Sequence, residues 1–116
     1  DAYALIKVLK NNHGVERFKV CVNMAPDMKT AKEMFVRLHQ ACDHFLSGVS
    51  LELVGVIPRD TGVRKAVVQQ LPYCISEPQG PAAKATMSLA KNISAWEAPE
   101  NLDGNIKFFW KKLLFR

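Results

Sequence analysis

The chain has 116 residues, 48% of them hydrophobic, enough for one small domain with a modest core. Its formal charge is +5, but four of its basic residues, Lys107, Lys111, Lys112 and Arg116, follow the last acidic residue, Asp103. The remainder is near neutral, which argues against a broad nucleic-acid footprint, and no direct nucleic-acid binding is expected. No apolar run reaches the roughly 18 residues a bilayer-spanning helix needs.

In chain order, residues 1–12 read as a helix, with Ala2, Leu5, Ile6 and Leu9 at helical spacing and a stop at Asn11-Asn12-His13-Gly14. The pattern has no start signal, which suggests a beginning inside a longer structure. Residues 17–23 read as a strand that ends in Asn23. Pro26-Asp27 breaks it, and Asp27 with Thr30 forms a plausible helix start. Residues 29–46 form the clearest helix, striped by Ala31, Met34, Phe35, Leu38, Ala41, Cys42 and Phe45, with Gly48 as its stop. Residues 51–57 are a near-continuous apolar strand of the kind covered on both faces in parallel sheets. A loop follows at 58–62, then a short helix over 63–70 with Val63, Ala66, Val67 and Gln70 on one side. Pro72 stops it, and Tyr73-Cys74-Ile75 reads as a short extended piece. Pro81 suits the first turn of a helix that runs to about Trp96, striped by Ala85, Leu89, Asn92, Ile93 and Trp96. Residues 97–103 read as an acidic, Pro-containing linker and 104–116 as a last helix.

Alternating strands and helices predict an α/β fold with a mostly parallel sheet and flanking helices. Two strands and a fragment make a poor sheet alone, so residues 1–96 are read as the C-terminal part of a larger α/β domain.

Several chemistries have no carrier. There is no G-x-x-x-x-G-K-[ST], no Gly-rich strand-to-helix turn, no nucleophile elbow and no paired carboxylates. Cys21, Cys42 and Cys74 are widely separated, sit in apolar patterns, and read as reduced core thiols of a cytosolic protein. His39 and His44 fall on different sides of their helix, so neither a metal site nor a catalytic residue is assigned.

Two strand ends remain. Val20-Cys21-Val22-Asn23-Met24 closes one strand and Gly55-Val56-Ile57-Pro58-Arg59-Asp60 the other. In open α/β sheets ligands bind beyond the carboxyl ends of the strands. An Asn amide offers donors and an acceptor that match an adenine edge, and a Pro-x-Asp turn offers backbone groups and a carboxylate. The bland reading is that Asn23 and Asp60 merely cap helices.

These segments, Val22-Asn23-Met24-Ala25-Pro26 followed by Gly55-Val56-Ile57-Pro58-Arg59-Asp60, resemble the base-binding end of the MinD/ParA class of deviant P-loop ATPases. Within that class the chain is most similar to the MinD-like regulators of flagellar number, over essentially its whole length. The resemblance implies that Asn23, Pro58 and Asp60 contact adenine, with Arg59 flanking it. It implies ATP as the ligand, with Mg in the intact protein. The phosphate loop and catalytic residues would lie outside these 116 residues, so the chain alone should be inactive. The implied partners are a second copy in an ATP-dependent homodimer and the flagellar GTPase FlhF, switch-ring proteins or a flagellar transcription regulator.

The tail has its own physical reading. At about 100° per residue, Ile106, Phe109, Trp110, Leu113 and Leu114 share one face, flanked by Lys107, Lys111, Lys112 and Arg116. Basic flanks with Trp and Phe make an interfacial membrane helix. Four basic residues near an anionic surface contribute roughly 4 kcal/mol together. The alternatives are packing on the body or docking in a partner's groove. The resemblance favours the membrane, with the protein cytoplasmic and peripheral on the inner membrane. Lys7, Arg37 and Phe45 form a second candidate surface, for a protein partner. Its bland alternative is a solvated basic helix with Phe45 in the core.

Overall fold

The computed structural model describes residues 1–96. Helix α1, Ala2–His13, begins at Asp1, whose side chain accepts the Tyr3 N–H at 2.9 Å. That cap is the start signal which the residue pattern did not show. Gly14, at φ +67, ends the helix, with the Gly14 and Val15 N–H groups donating to Lys10 and Leu9 carbonyls.

Strand β1, Arg17–Ala25, runs two residues past the predicted end at Asn23. Up to Val22 it alternates cleanly: Phe18, Val20 and Val22 are covered, and Arg17, Lys19 and Cys21 are exposed. One face is thus packed and the other open, which corrects the expectation that Cys21 is a core thiol. Cys42 is buried as expected, and Cys74 is half-buried.

Asp27 caps α2, Met28–Phe45, by accepting the Thr30 N–H at 2.6 Å. The bond holds the Asp27 carboxyl below its ordinary range. Of the predicted stripe, Ala31 and Cys42 are buried and Phe35, Leu38 and Ala41 half-buried, but Met34 and Phe45 are exposed. The helix stops at Phe45, and the chain folds Leu46 and Val49 inward from the connection.

Strand β2, Ser50–Pro58, pairs parallel with β1 in the register Phe18↔Leu51, Val22↔Val56, Ala25↔Pro58. Parallel strands need a crossover, and α2 is that crossover. Two clusters make the core. Ile6, Cys42, Leu46 and Val49 gather with Tyr3, Phe18, Leu38 and Leu51. Val22, Ala25 and Ala31 gather with Leu53 and Val56.

Helix α3, Thr61–Val68, starts earlier than predicted, because Asp60 caps it and draws Thr61 and Gly62 into its first turn. Ala66 is buried and Val63 half-buried, whereas Val67 and Gln70 on the predicted side are exposed. Residues Tyr73–Ser76 form a helical turn, α4, and not an extended piece. Pro72, at φ −61 and ψ 131, presents its carbonyl to the N–H groups of Ile75 and Ser76, which closes the turn locally.

Helix α5, Pro81–Ser94, has Pro81 in its first turn as expected and packs on β2, α4 lying beside it. Ala85, Leu89 and Ile93 are half-buried along it and Asn92 is exposed; the helix ends at Ser94, short of the predicted Trp96, which is half-buried just beyond it. Its deepest residues, Ala82 and Ala83, lie outside the predicted stripe. They are small where α5 comes up against the Asp60 turn. Gly55 of β2 meets Leu89, whose Cδ1 would stand 3.2 Å from an added Cβ. The α/β fold with a parallel sheet and flanking helices is as predicted, and the described residues contribute two strands to that sheet.

Candidate functional site

The carboxyl ends of both strands are held side by side. The Arg59 N–H donates to the Ala25 carbonyl at 2.8 Å, extending the pairing one step past Pro58. Just before this point the register slips. Val22 faces Val56 and Ala25 faces Pro58, so Asn23 and Met24 together stand opposite Ile57. This is a β-bulge, a device that re-aims side chains at the end of a strand. It leaves two consecutive exposed side chains, Asn23 and Met24, at the carboxyl end of the sheet.

Met24 adopts φ +54, and the Asn23 Oδ1 accepts the Met24 N–H at 2.8 Å. The oxygen of the Asn23 amide therefore faces its own backbone, and its Nδ2 makes no hydrogen bond among the described residues. Asn23 caps no helix; Asp27 does that for α2. The bland reading thus fails for Asn23.

Asp60 does cap a helix. Its Oδ1 accepts the Gly62 N–H at 2.9 Å and starts α3. Its Oδ2 accepts the Ala82 N–H at 3.2 Å and ties down the first turn of α5. Gly80 sits so close that an added Cβ would lie 2.9 Å from Asp60 Oδ2. A carboxylate offers about four lone-pair sites, so two remain for a ligand donor. Pro58 is half-buried and Arg59 exposed. The structure accordingly brings Pro58, Arg59 and Asp60 to the same end of the sheet as Asn23.

Met24 was invisible to sequence reasoning. Val-Cys-Val-Asn-Met-Ala has no glycine to mark a bulge, and an exposed Met after an Asn carries no pattern. The double role of Asp60 was equally hidden, because its second partner, Ala82, is distant in sequence.

The candidate partner residues Lys7, Arg37 and Phe45 are all exposed. Phe45 is not in the core. It is 68% exposed, and its ring stands edge-on to Tyr3 with centroids 6.3 Å apart. A shallow groove along α2 is lined by Lys29, Lys32, Glu33, Val36 and Arg37. No group of three metal-ligating side chains occurs among the described residues. The predicted linker 97–103 and the predicted membrane-binding residues Ile106, Lys107, Phe109, Trp110, Lys111, Lys112, Leu113 and Leu114 lie outside the described residues.

A parallel β-α-β unit with an exposed Asn bulge on one strand end and a Pro-x-Asp turn on the next defines an open α/β protein, a class whose ligands bind beyond the strand carboxyl termini. No family model matches the chain. Over 114 residues it is 40% identical to the antiactivator FleN of Pseudomonas aeruginosa. The match takes in 98% of this chain and 40% of FleN, so the chain spans two-fifths of the length of that curated relative. The chain is a relative of FleN, and the MinD/ParA-like resemblance read from its sequence is borne out.

Proposed function

We propose that this chain supplies the adenine-binding end of a MinD-like ATPase that regulates flagellar number, together with a membrane-targeting tail. The observation that carries the first half is the joined strand end. Asn23 stands on the exposed face at the carboxyl end of β1, and the Arg59–Ala25 hydrogen bond joins that end to the Pro58–Asp60 turn. The free Nδ2 of Asn23 would donate to a ring nitrogen of adenine. The backbone of the turn and the spare lone pairs of Asp60 would take the exocyclic amine. Residues elsewhere in the protein would bind the phosphates and Mg. ATP would then favour a homodimer.

The test is a titration of the gene's full-length product with ATP. Asn23→Ala should weaken ATP about three- to tenfold, the range of one hydrogen bond, and leave inorganic tripolyphosphate unaffected. Unchanged ATP affinity would exclude the base site.

For the tail, support comes from the amphipathic pattern of 104–116 and the family resemblance. One helix would bind anionic lipid reversibly, and two on a dimer far more tightly through effective concentration. The protein would sit in the cytoplasm, peripheral on the inner membrane. FlhF, switch-ring proteins or a transcription regulator would be its flagellar partners, with Lys7, Arg37 and Phe45 as one docking face. Co-sedimentation with anionic vesicles separates this from a tail that docks in a protein groove: the wild type should pellet and Trp110→Glu should not. If neither pellets, with or without ATP, the tail belongs to a protein partner and the chain is an interaction module.

A further inference from the structure

Among the described residues two non-glycine residues occupy the left-handed region of backbone space, Gln70 and Met24. Gln70 lies just past the end of α3, where helices commonly finish in this conformation. Met24 has no such excuse. It sits in a strand at φ +54, a region that favours Gly, Asn and Asp, and its side chain is 64% exposed, so packing does not offset the strain. What holds it is the bulge opposite Ile57 and the Asn23 Oδ1 that accepts its N–H. A strained residue at the ligand end of a sheet, with an apolar side chain left in the open, is placed for a ligand.

We propose that Met24 packs its thioether against the face of the purine whose edge Asn23 meets. This rests on the adenine reading above and adds a residue to it. The bulge makes the pairing possible. In a regular strand Asn23 and Met24 would point to opposite faces, whereas here both are exposed at one strand end. A Met side chain is unbranched and polarizable, and its sulfur makes favourable contacts with aromatic rings. Such a contact senses the ring and not its hydrogen-bonding edge. Met24 therefore contributes affinity for the base, and the choice of base stays with Asn23 and the Pro58–Asp60 turn.

The experiment uses the gene's full-length product, ribose-labelled ATP, and inorganic tripolyphosphate as a competitor that lacks a base. Met24→Gly removes the side chain and suits the backbone. It should weaken ATP about two- to tenfold, with tripolyphosphate unchanged and no fall in Tm. Met24→Leu should retain most of the ATP affinity. Met24→Asn, which also tolerates the left-handed region, should lose ATP affinity as Met24→Gly does. If Met24→Gly and Met24→Asn bind ATP like the wild type while Asn23→Ala is weakened, the proposal for Met24 falls and the adenine site stands. If Asn23→Ala also binds normally, the adenine site itself falls. A drop in Tm in both Met24→Gly and Met24→Asn, or an equal loss of tripolyphosphate, would make Met24 a structural residue and overturn the proposal.

Discussion

Replacing Asp60 with Ala removes one acceptor from two helices at once. The Gly62 N–H loses its cap, a change that typically costs about 1 kcal/mol. The Ala82 N–H, on a residue with no exposed surface, is left without its acceptor, for about 1–3 kcal/mol more. The expected destabilisation is therefore about 2–4 kcal/mol, a large fraction of the stability of a small domain. Asp60→Asn separates the two roles. Its one oxygen still accepts from Gly62, since Asn is a good helix cap, but its amide nitrogen must then face the Ala82 N–H. That variant should keep the cap's roughly 1 kcal/mol and lose only the Ala82 share, about 1–3 kcal/mol. Urea unfolding of the chain, followed by Trp fluorescence and circular dichroism, measures both. Asp60→Ala within about 0.5 kcal/mol of the wild type would refute the two-helix tie, as would an Asn variant no better than Ala.

Other expectations follow from neighbouring geometry. Gly80→Ala should also destabilise, because its Cβ would lie 2.9 Å from Asp60 Oδ2 and 3.2 Å from the Glu77 carbonyl, neither at the end of a flexible chain. A melting temperature equal to the wild type would show that the turn yields freely. The Asp27 carboxyl is held below its ordinary 3.8 by the Thr30 N–H. Its contribution is thus complete above that value and is lost as pH falls through the lower folded one. Asp27→Asn should therefore flatten the acid limb of the stability curve, read by circular dichroism; a limb as steep as in the wild type would assign acid loss to other groups. Burial pushes both the Cys21 and the Cys42 thiol up, so access decides: thiol labelling should modify exposed Cys21 well before buried Cys42. Equal rates would mean that the protein opens faster than the reagent reacts.

Much of the architecture was legible in the residues because it rests on local physics. Asp27 with Thr30, Pro81 at a helix start and the apolar run 51–57 each carry their signal within a few positions. The misreadings share a cause. Tyr73-Cys74-Ile75 has strand-like residues, yet the carbonyl of Pro72 closes a helical turn before any strand partner is in reach. Cys21 has apolar neighbours, but α5 lies over β2 and leaves that face of β1 open. Phe45 has the right helical phase for a core residue, and it is exposed because the helix ends there and Leu46 turns inward instead. At the site, the spacing located Asn23 and the Pro58–Asp60 turn. It did not show the bulge or the second partner of Asp60, since both are products of tertiary register.

The course of α5 links the two ends of the molecule. It begins where Asp60 grips Ala82, at the carboxyl end of β2. It ends at Ser94, and just past that end Trp96 stands over Lys19, whose Nζ lies 4.7 Å from the ring centroid. Lys19 is the third residue of β1 and pairs across to Glu52, the third residue of β2, at 2.9 Å. The helix thus runs from the carboxyl end of the sheet towards its amino-terminal end. A cation over an aromatic face on the surface is worth about 0.5–1 kcal/mol, enough to bias where that end rests without locking it. Lys19→Ala should then loosen the end of α5, seen as a change in Trp96 fluorescence in a Trp110→Phe background, and leave ATP affinity unchanged. A fall in ATP affinity with no change at Trp96 would mean that Lys19 acts on the ligand end directly, against this placement.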